Sequence, residues 1–216
     1  MLSFIKVESF KLSKKLKSWL GPLLVMILVL IAFPLSIDIS QYDLDKFYFS
    51  IIVVSLLMTA FVATEGMFEE DFEDGSLEQE FLKEKDFYKL VISKIFVYVC
   101  LIGIPIAFIG ALFSFANGVA IGSFGKVFLL LSLSNLLLFN LFAFGNALSI
   151  NKGAMLGVLS SLPLALPVII LLGRAIRSIQ YGDGYFSVTT LMLGIGLMVS
   201  AIMPLIISAA LKTHID

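Results

Sequence analysis

The residues best suited to chemistry in this chain are acidic, and most lie in one polar segment, residues 65–86. Ten of the sixteen acidic residues fall there: Glu65, Glu69, Glu70, Asp71, Glu73, Asp74, Glu78, Glu80, Glu84 and Asp86. Within it, Asp74-Gly75-Ser76 is typical of a turn. Ser76 and Gln79 fit a capping box, in which each side chain bonds the backbone N–H of the other residue. The segment is therefore predicted to contain a short helix over Leu77–Lys83.

This predicted helix has an apolar edge of Leu77, Phe81 and Leu82, while its remaining surface is acidic. A short amphipathic helix in a polar loop has no lipid to cover, and its natural use is to dock into a groove on a partner protein. A solvated acidic loop is the alternative. It would explain the charges but neither the cap nor the apolar edge.

The sequence contains no phosphate-binding loop. The nearest match is Gly125-Lys126, but Ala120 occupies the position of the first glycine and Val127 that of the Ser or Thr. We therefore expect this chain not to be an enzyme. If ATP drives its action, a separate subunit must hydrolyse the ATP.

Metal and haem ligands are also sparse. The single histidine, His214, lies two residues from the end, and the single cysteine, Cys100, lies within an apolar stretch. These two residues cannot assemble a metal site or a pair of axial haem ligands, so we expect no cofactor to be bound by this chain alone. Asp38 and Glu65 lie at the ends of apolar stretches, so the sequence also lacks the intramembrane carboxylate pair typical of ion-coupled carriers.

Long uncharged stretches must position these residues. The mean hydropathy is +1.04, and 14% of residues are charged, against roughly 25% in soluble domains. About 20 apolar residues in a helix match the ~30 Å hydrocarbon core of a bilayer. Six spans are predicted, at about 19–37, 47–64, 90–116, 127–150, 153–173 and 186–211. The chain is thus predicted to be an all-α integral membrane protein with a single transmembrane domain over 1–216.

Two segments outside the spans complete this prediction. Residues 1–17 are rich in lysine and are predicted to form an interfacial helix, with an unstructured basic tail as the alternative. Residues 65–89 form the polar loop. Cleavage of the first span as a signal peptide is not expected, because the apolar stretch is too long and ends without a small-residue cleavage site.

The basic residues are divided unevenly between the two sides of such a bundle. Eleven of the fifteen fall on the side of the N-terminus, the 65–89 loop, Lys152 and the C-terminus: Lys6, Lys11, Lys14, Lys15, Lys17, Lys83, Lys85, Lys89, Lys94, Lys152 and Lys212. The other side holds Lys46, Lys126, Arg174 and Arg177. Because positively charged segments stay in the cytoplasm, both termini are predicted to be cytoplasmic.

Small and polar residues recur at helical spacing within two spans. The fourth span carries Ser132, Asn135, Asn146 and Ser149 on one face, and the fifth carries Gly153, Gly157 and Ser160. An Asn that faces lipid is costly, so these faces are expected to contact other helices or to line a substrate pathway. Both interpretations are open from the sequence.

The loop after the fifth span is the most distinctive segment on the outer side. Arg174 and Arg177 are spaced to continue the fifth helix towards the surface. Tyr181 and Tyr185 flank a Gly-Asp-Gly turn, where aromatic rings suit the membrane interface. We assign these four residues to contact with a periplasmic partner.

Three sequence strings resemble the CcmB family, the haem exporter protein B subunits of cytochrome c maturation. They are Phe33-Pro34-Leu35-Ser36, the acidic string over 65–79, and Leu162-Pro163-Leu164-Ala165-Leu166-Pro167. The resemblance extends over the whole chain in length, number of spans and placement of loops. Its specific part is Asp-Gly-Ser-Leu-Glu-Gln after the second span. The family's coupling segment maps onto Asp74, Gly75, Ser76, Leu77, Glu78 and Gln79, with Phe81 on the same short helix.

The resemblance implies an ABC-2 or type V-like permease subunit in the bacterial inner membrane. Its implied partners are a CcmA-like ATPase that carries ATP and magnesium, CcmC-like and CcmD-like membrane subunits and, indirectly, a CcmE-like haem chaperone. Two copies of the chain per complex are expected, with haem as the substrate of the complex as a whole. ATP hydrolysis would drive release of the haem-loaded chaperone.

Two other functions fit the same architecture. One is the permease of a different ABC-2-type exporter, for a lipid or a drug. The other is a membrane scaffold that transports nothing and only assembles the haem-transfer subunits.

Overall fold

The computed structural model describes residues 2–36, 44–83, 87–150, 154–182 and 184–215, and this part of the chain is helical. The helices are α1 (Leu2–Lys14), α2 (Leu16–Ser36), α3 (Leu44–Thr64), α4 (Glu69–Glu73), α5 (Ser76–Lys83), α6 (Tyr88–Tyr98), α7 (Ile104–Ala116), α8 (Ile121–Ser149), α9 (Ala154–Tyr181) and α10 (Tyr185–Ile215). A short π-helical segment, Val99–Gly103, joins α6 to α7.

Within the described residues, six helices are long and apolar enough to cross a membrane, as predicted. They correspond to α2, α3, α6 with α7, α8, α9 and α10. Large apolar side chains such as Leu28, Leu159 and Leu197 are more than half exposed. Apolar surface on this scale is stable against lipid rather than water. The chain is a multi-pass helical membrane protein.

Helix α8 forms the centre of the bundle, with α3, α7, α9 and α10 packed around it. Two-thirds of its apolar stretch is buried inside the protein (67%), compared with 17% for α2 at the periphery. Its buried residues include Leu130, Phe139 and Ala143. A helix with apolar residues around most of its circumference, as in α8 apart from its few Ser and Asn, is typical of such a central position.

Several spans form longer helices than the sequence indicates, and the fourth begins at Ile121 rather than at 127. The fifth, predicted to end at 173, continues as helix to Tyr181, and the sixth continues past 211 to Ile215. Pro163 and Pro167 lie inside α9 without ending it. The longer α9 carries Arg174 and Arg177 beyond its apolar part, in agreement with the spacing of these two residues.

The N-terminal segment is helical as well, and α1 lies against α6. Leu12 on α1 is buried, whereas Val7 and Phe10 are exposed. The cation of Lys212, near the end of α10, lies 5.3 Å from the centre of the Phe81 ring on α5. The N-terminal helix, the polar loop and the end of α10 therefore occupy the same end of the bundle.

Candidate partner-docking site

The polar loop is folded into two short helices rather than extended. It turns at Gly66 (φ 68°) before α4 and at Gly75 (φ 71°) between α4 and α5. Both values lie in the left-handed region, which glycine adopts without strain and most other residues avoid. The two glycines therefore let the chain fold back on itself, and α5 packs beside α4.

Helix α5 does not begin with the predicted capping box. Ser76 is its first helical residue, and its hydroxyl donates to the Asp71 carbonyl (3.2 Å). The Gln79 N–H donates to the Gly75 carbonyl (3.2 Å). The capping acceptor is Asp74, whose carboxylate accepts the Ser76 N–H at 2.8 Å in an Asx turn. Since Gly75 places Ser76 one position inside the helix, the prediction was wrong about which residue caps it.

This turn also affects the ionisation of the Asp74 carboxyl group. The Ser76 hydroxyl and backbone N–H, both close to the carboxylate, lower the pKa of Asp74 below its ordinary value. They do so because they stabilise the ionised carboxylate. Asp74 is therefore charged at neutral pH, at the N-terminal end of α5, where a negative charge interacts favourably with the helix dipole.

The apolar edge of α5 is used mainly inside this chain. Leu77 is 2% exposed. The Phe81 ring packs edge-to-face on Phe87, with centroids 5.8 Å apart. Leu82 is the exception at 84% exposed. The prediction that this edge fills a groove on a partner is therefore wrong for Leu77, because this side chain already fills the space between α5 and the bundle.

A different face of α5 is free for contact. Glu78, Gln79 and Leu82 are exposed, and Asp74 lies exposed at the start of the helix. Of the residues assigned to coupling, Leu77 lies inside and Gly75, Ser76 and Phe81 are half-buried. The face left for a partner is therefore acidic with one exposed leucine at its edge.

A buried ion cluster holds the loop to the bundle. Lys94 of α6 is ion-paired with Asp71 of α4, and its ammonium lies 3.4 Å from the Glu8 carboxylate of α1. Lys11 of α1 lies 3.2 Å from the other Asp71 oxygen. The Lys94 ammonium also lies 5.6 Å from the centre of the Phe68 ring. The side chains of Lys94, Asp71 and Glu8 are 5%, 15% and 16% exposed.

Sequence reasoning missed this cluster, because Lys94 was counted only as one of the cations that set the topology. The sequence nevertheless contained a signal for a buried ion pair at Lys94. Lys94 lies inside the predicted span 90–116, and an ionisable residue within a span is expected to have a partner inside the protein.

The polar face of α8 makes contacts between helices. The buried Asn135 donates to the carbonyl of Gly103, in the π-helical segment, at 2.7 Å. Asn146 accepts the Phe68 N–H at 3.1 Å and so attaches the polar loop to α8. The hydroxyls of Ser132 and Ser149 donate to carbonyls of α8 itself. The structure thus uses this face for packing and for the support of irregular backbone.

The small residues of α9 allow it to approach α8 closely. A Cβ added at Gly157 would lie 2.8 Å from the Gly145 carbonyl oxygen, and one added at Gly145 would lie 2.5 Å from the Gly157 carbonyl oxygen. The second contact residue on α9 is Ser161, which is 1% exposed, rather than the half-buried Ser160. Gly153, assigned to the same face, lies outside the described residues.

The opposite end of the bundle carries the residues assigned to a periplasmic partner. Arg174 and Arg177 are exposed on α9. The Tyr185 hydroxyl donates to the Lys126 carbonyl (3.3 Å), and the Lys126 ammonium lies 5.4 Å from the centre of the Tyr185 ring. These contacts join the N-terminal part of α8 to the first turn of α10. Tyr181 ends α9, and its side chain lies outside the described part of the chain.

These features define a multi-pass helical membrane protein in which the ion pairs of the described residues lie around one loop at one end of the bundle. A model of the CcmB protein family matches residues 5–214. Two relatives named heme exporter protein B are similar over most of their length. The one from Pseudomonas aeruginosa is 30% identical over 164 residues, which cover 75% of this chain and 74% of the relative. The one from Haemophilus influenzae is 28% identical over 221 residues, or 100% and 98% of the two chains.

A shorter match is found with heme exporter protein B of Escherichia coli K12, 33% identical over 86 residues, or 40% of this chain and 39% of the relative. The chain belongs to the CcmB family. The family resemblance inferred from the acidic string and the proline motifs is therefore confirmed.

Proposed function

We propose that this chain is the membrane permease subunit of an ABC-type haem exporter complex that acts in cytochrome c maturation. The observation that carries the proposal is the family match over residues 5–214. Relatives of nearly the same length bear the name heme exporter protein B. Six apolar helices and a folded polar loop are the architecture such a subunit requires.

The energy for this function is proposed to come from a separate CcmA-like ATPase that carries ATP and magnesium. The sequence itself has no phosphate-binding loop, and no enzyme activity is assigned to this chain. The exposed acidic face of α5 is the proposed docking surface. It supports the proposal because α5 packs beside α4, and the loop that carries both helices is attached to the third span through Asp71 and Lys94 and to α8 through Phe68 and Asn146.

The remaining partners are proposed from the family resemblance. We propose that CcmC-like and CcmD-like subunits form a complex with two copies of the chain. A CcmE-like haem chaperone is proposed to interact with this complex and to be only an indirect partner of the chain. ATP hydrolysis is proposed to release the haem-loaded chaperone. Haem is a substrate of the complex and not a cofactor of this chain. The outer residues Arg174, Arg177, Tyr181 and Tyr185 are the proposed periplasmic contact.

The proposed location is the bacterial inner membrane, with both termini in the cytoplasm. The support is the distribution of basic residues, eleven of fifteen on the side of the termini and the polar loop. The exposed ion pair between Lys15 and Glu70 and the contact between Lys212 and Phe81 are consistent with it, because they bring both ends of the chain beside the loop.

Two surface variants test the docking face without disturbing the fold. Glu78→Lys and Leu82→Asp alter exposed side chains, whereas Leu77→Asp would place a charge in the core. Each surface variant should reduce co-purification of the ATPase by about tenfold, the effect of roughly 1.4 kcal/mol at an interface, with an unchanged amount of chain in the membrane. Glu65→Lys, a charge reversal at the membrane end of the same loop, is the matched control.

The same variants separate the candidate functions. Loss of c-type cytochromes while haem remains on the chaperone is the expected result. An empty chaperone would instead indicate haem delivery as the role of the chain, and normal cytochromes would indicate an exporter for another substrate. If the ATPase co-purifies equally with Glu78→Lys, Leu82→Asp and Glu65→Lys, the docking surface is wrong.

A further inference from the structure

One buried lysine connects three parts of the molecule that are distant in sequence. Lys94 belongs to the third span, Asp71 to the polar loop and Glu8 to the N-terminal helix. Together with Lys11, these residues form a cluster of two acids and two lysines whose charges cancel. The cluster is therefore neutral as a set, although each of its members is a charged group at the end of the bundle.

This cluster differs from the surface pair beside it. The Lys15–Glu70 side chains are 41% and 62% exposed, whereas those of Lys94 and Asp71 are 5% and 15% exposed. An exposed ion pair contributes little to stability, because water screens it. A buried charge that loses its partner is strongly unfavourable. Lys94 therefore keeps α4 and α1 against α6 during any movement that leaves the cluster buried.

The third span also contains an irregular helical segment close to this lysine. The π-helical segment begins at Val99, five residues after Lys94, and separates α6 from α7. A π-helical segment interrupts the regular hydrogen bonding of a helix and is often found at functional positions. Asn135 supplies a hydrogen bond from α8 to Gly103 at the end of the segment. The outer half of the span is thus fixed to α8, while the inner half is fixed to the loop.

We propose that Lys94 is the positioning residue that transmits movement of the polar loop to the third span, and that this span bends at Val99–Gly103. The proposal rests on the proposed function, because the movement is attributed to a partner ATPase on α5. When the ATPase displaces α5 and α4, Asp71 draws Lys94 and α6 with it. Helix α7 stays in place because Asn135 holds the end of the π-helical segment.

The connection of α1 and α4 to α6 through Lys94 is tested first, by hydrogen–deuterium exchange in the purified chain. Lys94→Met leaves Asp71 and Glu8 without their buried cation, so exchange in α1 and α4 should rise about tenfold or more. Lys15→Met is the matched control, and it should leave exchange in both helices within about twofold of the unmodified chain. Lys94→Arg, which keeps the charge, should restore protection. Equal exchange in α1 and α4 of the Lys94→Met and Lys15→Met variants would show that Lys94 does not hold these two helices to α6.

Bending is tested in the assembled complex with a probe that the chain already offers. Cys100 is its single cysteine and lies in the π-helical segment. A trifluoromethyl tag on Cys100, in a complex whose other subunits lack cysteine, reports this segment by 19F NMR. A non-hydrolysable ATP analogue should shift the resonance in the unmodified and Lys15→Met complexes. In Lys94→Met the shift should be lost while the ATPase still co-purifies.

Each result bears on a different part of the proposal. A shift that persists in Lys94→Met rejects transmission through this lysine, and absence of a shift in the unmodified complex rejects bending at Val99–Gly103. Failure of any ATPase to co-purify with the unmodified chain rejects the proposed function, and transmission with it. Asp71→Asn, which leaves Glu8 as a partner for Lys94, serves if Lys94→Met does not reach the membrane. Its shift should be reduced, and a full shift would count against the proposal.

Discussion

Two interfaces in this protein are held together in opposite ways. At the crossing of α8 and α9, Gly145 and Gly157 bring backbone against backbone, with no side chain between them. At the end of the bundle, Lys94 reaches from α6 to Asp71 and Glu8 through a long side chain. The first interface requires that neither glycine carries a side chain, and the second requires paired charged side chains.

This difference determines which parts of the molecule can move. A backbone contact between two glycines has no rotamers with which to adapt, so a displacement of a few tenths of an ångström changes it. The lysine side chain has several rotatable bonds, so its ion pair survives a displacement of α4 and pulls α6 along with it. The α8–α9 crossing is therefore the rigid centre, and the Lys94 cluster is the adaptable connection.

The largest effect is expected at the glycine crossing. Gly145→Ala places a methyl group 2.5 Å from the Gly157 carbonyl oxygen and 2.9 Å from Ser161 Cβ. The helices must separate, which should cost about 3 kcal/mol, towards the upper end of the range for overpacking. Gly173→Ala on α9 meets no atom within 4 Å and is the matched control. It should be neutral or slightly stabilising. Unfolding of the detergent-solubilised chain by SDS measures both.

Equal stability of these two alanine variants would remove the contrast between a rigid centre and an adaptable end. It would mean that α8 and α9 separate at little cost. In that case the crossing would be as adjustable as the ion cluster.

A smaller effect is expected at the π-helical segment. Asn135→Leu removes the hydrogen bond to Gly103 and should cost about 1–2 kcal/mol, as for hydrogen bonds between helices in membranes. Asn140 is a suitable control because it is buried on the same helix. Its amide donates to its own helix at Leu136 (2.8 Å) and reaches Ser200 only at 3.4 Å. Asn140→Leu should therefore cost less. The same SDS titration compares the two, and a larger loss for Asn140→Leu would contradict the assignment of Asn135 as the support of this segment.

The sequence was sufficient to predict the six spans, because a span is a property of local composition. It also located the polar loop and a short helix within it. The same reasoning placed Asn135 and Gly157 on faces expected to contact other helices or to line a substrate pathway. Each of these features depends on residues close together in the chain.

The features that sequence reasoning missed depend on contacts between distant residues. Asp71 and Lys94 lie 23 positions apart, and no periodic pattern links them. The burial of Leu77 was missed because an amphipathic helix has the same sequence whether its apolar edge meets a partner or its own bundle. The capping box was assigned wrongly because Asp74, Gly75 and Ser76 offer two registers, and the φ of 71° at Gly75 selects the one that sequence spacing does not reveal.

The smallest effect is expected at Asp74, an exposed residue that acts only on α5. Asp74→Ala removes the acceptor for the Ser76 N–H and should destabilise α5 by about 1 kcal/mol. Asp74→Asn keeps an acceptor oxygen and should cost only a few tenths. Because the pKa of Asp74 is lowered in the folded protein, its charge stabilises α5 above the pKa of an unfolded aspartate, about 3.9, and this contribution is lost as the pH falls through the lower folded value. Amide exchange over 76–83 should therefore distinguish Asp74→Asn from the unmodified chain at pH 7 and cease to do so in strong acid. A difference that persists in strong acid would show that the carboxylate charge is not what stabilises this turn.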